Sequence, residues 1–100
     1  MIQAVLENSS QLNHAIHMLW TVYIIRCSDD SLYTGITTGL ERRFAEHFNH
    51  PRGAKYFNGR TPVEVVFSED GHTRSSACRR EAAIKRLSRE EKLRLIEDAG

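Results

Sequence analysis

The chain has 100 residues, 40% apolar and 27% charged, with a net charge of +1, which is ordinary globular composition with room for one domain and one modest core. That excludes a disordered chain, and no apolar run approaches the roughly 20 residues a membrane-spanning helix needs. Two cysteines, Cys27 and Cys78, are too few for a disulfide framework, so a reduced, cytoplasmic setting is expected.

Residues 1–19 carry no Lys or Arg and show only a weak helical repeat, so they do not resemble a secretory signal. Residues 1–18 are expected to form an N-terminal extension, loose or as a short helix, with Met18 an alternative start. A chain beginning at Met18 should then fold and act like the full one. The working domain is expected over 19–100.

Trp20 to Cys27 alternates as a strand, with Trp20, Val22 and Ile24 on one face and Thr21, Tyr23 and Ile25 on the other. Ser28-Asp29-Asp30-Ser31 is turn chemistry, and Leu32 to Thr37 completes a β-hairpin. Tyr23 and Tyr33 are expected at matched places on its two strands. A helix follows, opened by a Thr38-x-x-Glu41 capping box, buried through Leu40, Phe44 and Phe48, and ended by His50-Pro51-Arg52-Gly53.

After a basic, aromatic loop (residues 53–60), Pro62 opens an edge strand, with Val63, Val65 and Phe67 on one face. Asp70-Gly71 reads as a turn. A second helix is expected from about Arg74 to Leu87, buried through Ala77, Ile84 and Leu87. Ser88 with Glu91 caps a third, in which Leu93 and Ile96 pack inward. The fold class is α+β, α/β sandwich-like: a three-stranded mixed antiparallel sheet flanked by helices in the order ββαβαα.

Charge is unevenly placed. Residues 42–60 hold five basic residues against Glu46 alone, and residues 74–89 hold six against Glu81 alone. Such patches fit a polyanion contact on one face, or equally solvated helix faces laced with ion pairs.

Arg43 and His47 are four apart and share a helix face, while Gly35 removes a side chain where the second strand leaves towards that helix. The two phenols and the guanidinium therefore have a route to one concave spot. The plainer account makes both tyrosines core, Arg43 a surface residue and His47 a helix-end residue favoured by the dipole. Glu81 is either an i,i+4 partner of Lys85 or a lone carboxylate for Mg²⁺, which is often held by one or two carboxylates plus water and phosphate.

Taken together, these residues resemble the GIY-YIG nuclease superfamily. Val22-Tyr23-Ile24 stands where the first motif would be and Tyr33-Thr34-Gly35 where the second would be. Arg43 and His47 follow Tyr33 by ten and fourteen residues, as in the helix motif, and Glu81 takes the place of the metal-binding glutamate. The resemblance covers about residues 20–100, and Gly53-Ala54-Lys55-Tyr56 with the helix from Arg79 to Lys85 is similar to the small stand-alone bacterial YhbQ-type branch. The first motif departs in Val22 and Ile24. Ile36 follows Gly35 where DNA-repair members carry a lysine, which counts against lysine-assisted proton transfer here.

The resemblance implies a GIY-YIG endonuclease fold and hydrolysis of DNA phosphodiesters in repair or processing, with one Mg²⁺ or Mn²⁺ on Glu81. It implies catalytic roles for Tyr23, Tyr33, Arg43, His47 and Glu81: Arg43 on the phosphate oxygens, Tyr23 as base, Tyr33 orienting or sharing that role, and His47 orienting Tyr23 or the phosphate. Gly35, Lys55, Tyr56, Arg60, Arg80 and Lys85 are candidate nucleic-acid contacts, for branched or single-stranded DNA or for RNA. Target choice is then expected from this domain or a protein partner. The competing class is a binding module without catalysis. Zinc on His47, His50 and a cysteine is the weakest alternative, since no matched ligand spacing supports it.

Overall fold

The computed structural model describes residues 18–49, 57 and 59–100; the expected extension, His50, and the loop residues Lys55 and Tyr56 lie outside them. Among the described residues the order is β1 (Trp20–Cys27), β2 (Leu32–Thr37), α1 (Leu40–Asn49), β3 (Pro62–His72), α2 (Arg74–Lys85) and α3 (Arg89–Ala99). The sheet runs β2-β1-β3, and both pairings are antiparallel. The expected ββαβαα order and the edge position of the third strand are both present.

The central strand β1 is buried on both faces, and its alternation sorts the core into two clusters. Val22 and Ile24 meet Phe67, Ala77 and Ile84, with Leu95 and Ile96 packed alongside. Tyr23, Ile25 and Cys27 meet Phe57 on the opposite face, with Tyr33, Leu40 and Phe44 against them. Thus α1 covers one face of the sheet, while α2 and α3 cover the other. Each fully buried aliphatic side chain contributes about 1.5–3 kcal/mol, so β1 is the part of the fold least tolerant of change.

Several expectations are corrected by long-range packing. Val65 and Phe67 lie on opposite faces because the β1–β3 register shifts between Ile24 and Ile25, leaving Val66 as an extra residue. Val63, expected inward, is exposed. Asp70-Gly71 does not end the strand: a second shift places these residues opposite Thr21, whose hydroxyl donates to Asp70 Oδ1 at 2.8 Å. Gly71 supplies the positive φ of 77° that this bulge requires.

The start of α1 is set by Gly39, whose carbonyl accepts from Arg43 N–H at 2.9 Å and whose N–H donates to Thr37 Oγ1 at 3.1 Å. The cap is therefore one residue later than Thr38. Phe48, expected in the buried stripe, is 56% exposed, and His47 is the buried residue instead. In α3 the inward residues are Leu95 and Ile96, with Leu93 exposed. The Ser88–Glu91 capping box forms as expected, and Thr73–Ser76 makes another at the start of α2, which ends at Lys85.

Candidate functional site

The site is built around the hydroxyl of Tyr23, and Gly35 puts it there. Tyr23 pairs with Gly35 across the hairpin, while Tyr33 stands opposite Ile25. The two tyrosines are therefore diagonal neighbours on one face rather than directly matched, with ring centroids 6.2 Å apart. A Cβ built on Gly35 would lie 2.5 Å from Tyr23 Oη and 2.6 Å from Cζ. The phenol thus lies flat across the one position on β2 that has no side chain. The bare strand expected to admit a ligand is covered by the first tyrosine.

From α1, His47 reaches the same hydroxyl: its Nε2 is 3.1 Å from Tyr23 Oη. His47 is 1% exposed, its ring 4.3 Å from Phe57 and 5.3 Å from Tyr33. Burial, reinforced by the positive charge of Arg43, lowers its pKa to about 4. The ring is therefore neutral at pH 7. Arg43 lies one turn earlier, close enough to Tyr23 to act on it electrostatically, and its Nη1 donates to Glu46 Oε1 at 3.3 Å. Burial opposes the Arg43 charge, but the hydrogen bond to Glu46 and the neighbouring Tyr23 hydroxyl outweigh it and keep the guanidinium protonated.

Tyr23 is pushed the other way. Burial and the adjoining Tyr33 raise its pKa above the ordinary phenol value; the nearby Arg43 lowers it by less, and the Glu81 charge raises it further. The neutral phenol is the resting form. With both groups neutral, the contact can run with the phenolic O–H of Tyr23 donating to His47 Nε2. That direction requires His47 to carry its own proton on Nδ1.

Glu81 acts on Tyr23 from the opposite layer. It stands on α2 beside the buried Ala77–Ile84 stripe, with 24% of its side chain exposed and Lys85 Nζ 3.6 Å from Oε2. Among the described residues no group of three or more His, Cys, Asp or Glu converges to hold an ion. A single, mostly buried carboxylate is too little for zinc, which takes three or four protein ligands, and His47 has its Nε2 against Tyr23. It does fit Mg²⁺ or Mn²⁺, hard cations content with one carboxylate, water and a substrate phosphate.

Of the residues singled out in the sequence, Tyr23, Tyr33, Gly35, Arg43 and His47 come together, and Glu81 reaches Tyr23 only through its charge. The outlying cations do not join them. Arg60 donates to Asp29 at 2.7 Å at the hairpin tip, and Arg80 forks onto Glu69 at 3.0 and 3.3 Å. Phe57, on which both His47 and Tyr33 pack, escaped the sequence reading. Its only signal was an aromatic next to Tyr56 in a basic loop.

The buried neutral imidazole has a thermodynamic consequence. The folded-state pKa of about 4 lies below the ordinary 6.5, so below pH 6.5 the unfolded chain takes up a proton that the folded one refuses. This contribution is whole above pH 6.5 and is lost progressively towards pH 4, about 2 kcal/mol of it by pH 5. Urea unfolding at pH 7 and pH 5 should show that loss in the native chain and a smaller one in His47→Gln. Equal losses would mean His47 titrates normally.

Comparison with known proteins follows the same elements. The family model described as the GIY-YIG catalytic domain matches residues 19–94. The chain is similar to a UPF0213 protein of Natronomonas pharaonis, 53% identical over 77 residues, covering 77% of this chain and 89% of that one. It is also similar to a UPF0213 protein of Staphylococcus haemolyticus, 51% identical over 77 residues, covering 77% and 93%. A solution NMR structure of a UPF0213 protein from Bacillus halodurans matches with a TM-score of 0.53 and 40% identity, over 81% of this chain and 85% of that one.

Proposed function

Because the chain belongs to the GIY-YIG family of nuclease domains, we propose that it hydrolyses nucleic-acid phosphodiesters, DNA first among them, with one Mg²⁺ or Mn²⁺ on Glu81. The observation that supports this reading is the buried pairing of Tyr23 Oη with His47 Nε2 at 3.1 Å, within the electrostatic reach of Arg43 and, more weakly, of Glu81. Packing alone does not call for a polar pair at that buried place.

The residues divide the work as follows. Arg43 meets the non-bridging phosphate oxygens, where negative charge grows in the transition state. Its charge is fixed and half-shielded from water, so it acts with little reorganisation. Tyr23 takes a proton from the attacking water as its own passes to His47, because the raised phenol pKa makes a free phenolate scarce. His47 is the acceptor because it is neutral at pH 7. Tyr33 packs against both rings and holds their angle. A divalent ion on Glu81 would supply Lewis-acid stabilisation of the leaving oxygen. A cytoplasmic role in DNA repair or processing belongs to the same reading.

One observation favours the rival, a binding module without catalysis: Lys85 already neutralises Glu81. The two readings separate on supercoiled plasmid and branched DNA with Mg²⁺ or Mn²⁺. Cleavage should appear with either metal, and Arg43→Ala and Glu81→Ala should each lower it by about 10²–10³-fold. Cleavage surviving both substitutions would sink the assignment, and binding without cleavage under both metals would favour the module.

A further inference from the structure

The net charge of +1 conceals a segregation. Among the described residues every Lys or Arg ahead of Arg74 is ion-paired: Arg26 with Asp30 and Glu64, Arg42 and Arg43 with Glu46, Arg60 with Asp29. Beyond that point Arg80 is held by Glu69 and Lys85 lies near Glu81. The cations with no acidic partner among the described residues all fall between Arg74 and Arg94. Those on α3 are offset by Glu90, Glu91, Glu97 and Asp98 of the same helix. The excess therefore belongs to α2 and its C-cap, Arg86.

Helix geometry arranges that excess in two rows. With the helix turning about 100° per residue, Arg74 and the loosely paired Lys85, 3.6 Å from its acid, fall on one line beside Glu81. Arg79 and Arg86, with no acidic partner among the described residues, fall on a second line about 120° around. All four side chains are exposed. Arg74 lies over the Trp20 ring, its Cζ 5.7 Å from the centroid, which places that row at the β1 side of the helix. Along the axis the first row spans about 16 Å and the second about 10 Å. One extended strand cannot meet both lines of a helix about 10–12 Å across, whereas the two backbones flanking a groove about 12 Å wide can.

We propose that α2 docks between the two backbones of a double-stranded nucleic acid, with Arg74 and Lys85 against the strand at Glu81 and Arg79 and Arg86 against the other. This rests on the nuclease reading above and specifies its substrate as duplex rather than single strand. Arg60 and Arg80, hydrogen-bonded to Asp29 and Glu69 at 2.7 and 3.0 Å, take no part. Lys85, by contrast, stands 3.6 Å from Glu81 with its side chain 55% exposed, free to turn to a phosphate. Cys78 lies between the two rows and is exposed, whereas Cys27 is buried. It is a native reporter of what covers this face.

The test uses the full chain with a chelator present, so that binding is read without cleavage. Binding of a labelled DNA 20-mer, as duplex and as single strand, is measured against salt for the native chain and for the double variant Arg79→Ala/Arg86→Ala. Alanine keeps the helix, and far-UV circular dichroism checks that it has. The variant should lose about tenfold in duplex affinity and about two units of salt slope, while single-strand affinity moves less than twofold. Duplex should slow Cys78 alkylation at least fivefold, and single strand should not. An equal loss on both forms, or none on duplex while the native chain still cleaves DNA, overturns two-row docking and leaves the nuclease reading standing. Failure of the native chain to bind either form overturns both.

Discussion

Gly35→Ala should abolish cleavage more thoroughly than deletion of any other site group. The added methyl would stand 2.5 Å from Tyr23 Oη and 2.6 Å from Cζ, well inside van der Waals contact. Tyr23 is 1% exposed and shares its face with Phe57, Ile25 and Cys27, so the ring has no free space to enter. It must tilt off the strand, and its hydroxyl then leaves His47 Nε2. Overpacking of this kind costs about 1–3 kcal/mol of stability, which a small domain can survive. The informative result is a folded variant, judged by its circular dichroism and a cooperative thermal transition, with cleavage at least 10⁴-fold down. Near-native cleavage would show that the ring does not need to lie flat.

Tyr23→Phe isolates the hydroxyl from the ring. The phenyl keeps its packing, and only Oη is removed. His47 Nε2 loses its partner, at about 1–3 kcal/mol for a buried polar group left unmade. On the proton path from water through Tyr23 to His47, cleavage should fall by up to about 10⁴-fold at unchanged DNA affinity. Single-turnover rates together with binding measurements separate the two effects. A variant that cleaves within tenfold of native would move the base to Tyr33 or to bulk water. Both substitutions act on one group, so combining them should cost little beyond Gly35→Ala alone.

Much of the fold was legible because it is written in local periodicity. The alternation of β1 named both core faces, Ser28 to Ser31 marked the turn, and Ser88 with Glu91 marked the start of α3. What could not be read depends on a neighbour distant in sequence. The extra residue at Val66 exists only relative to β1, so Val65 and Phe67 look like one face until the strands are paired. Phe48 is the more apolar residue, yet His47 is buried, because Tyr23, Tyr33 and Phe57 enclose it with a polar partner supplied. The same holds for charge. Arg60 and Arg80 look like free cations in the sequence, and their acids, Asp29 and Glu69, lie 31 and 11 residues away. The site motifs were legible as types, while the laying of one tyrosine over the glycine of the other motif was visible only in space.

The two core clusters share no residue, and they support different halves of the site. Tyr23 and the α1 residues belong to one layer, and Glu81 belongs to the other through Ala77 and Ile84. Repacking beneath α2 would move the carboxylate without disturbing the Tyr23–His47 pair, and repacking beneath α1 would do the reverse. On the proposed chemistry, preference among divalent ions and proton transfer are separately adjustable traits. Variation could thus retune the choice of ion in a protein of this size while leaving its acid–base apparatus untouched.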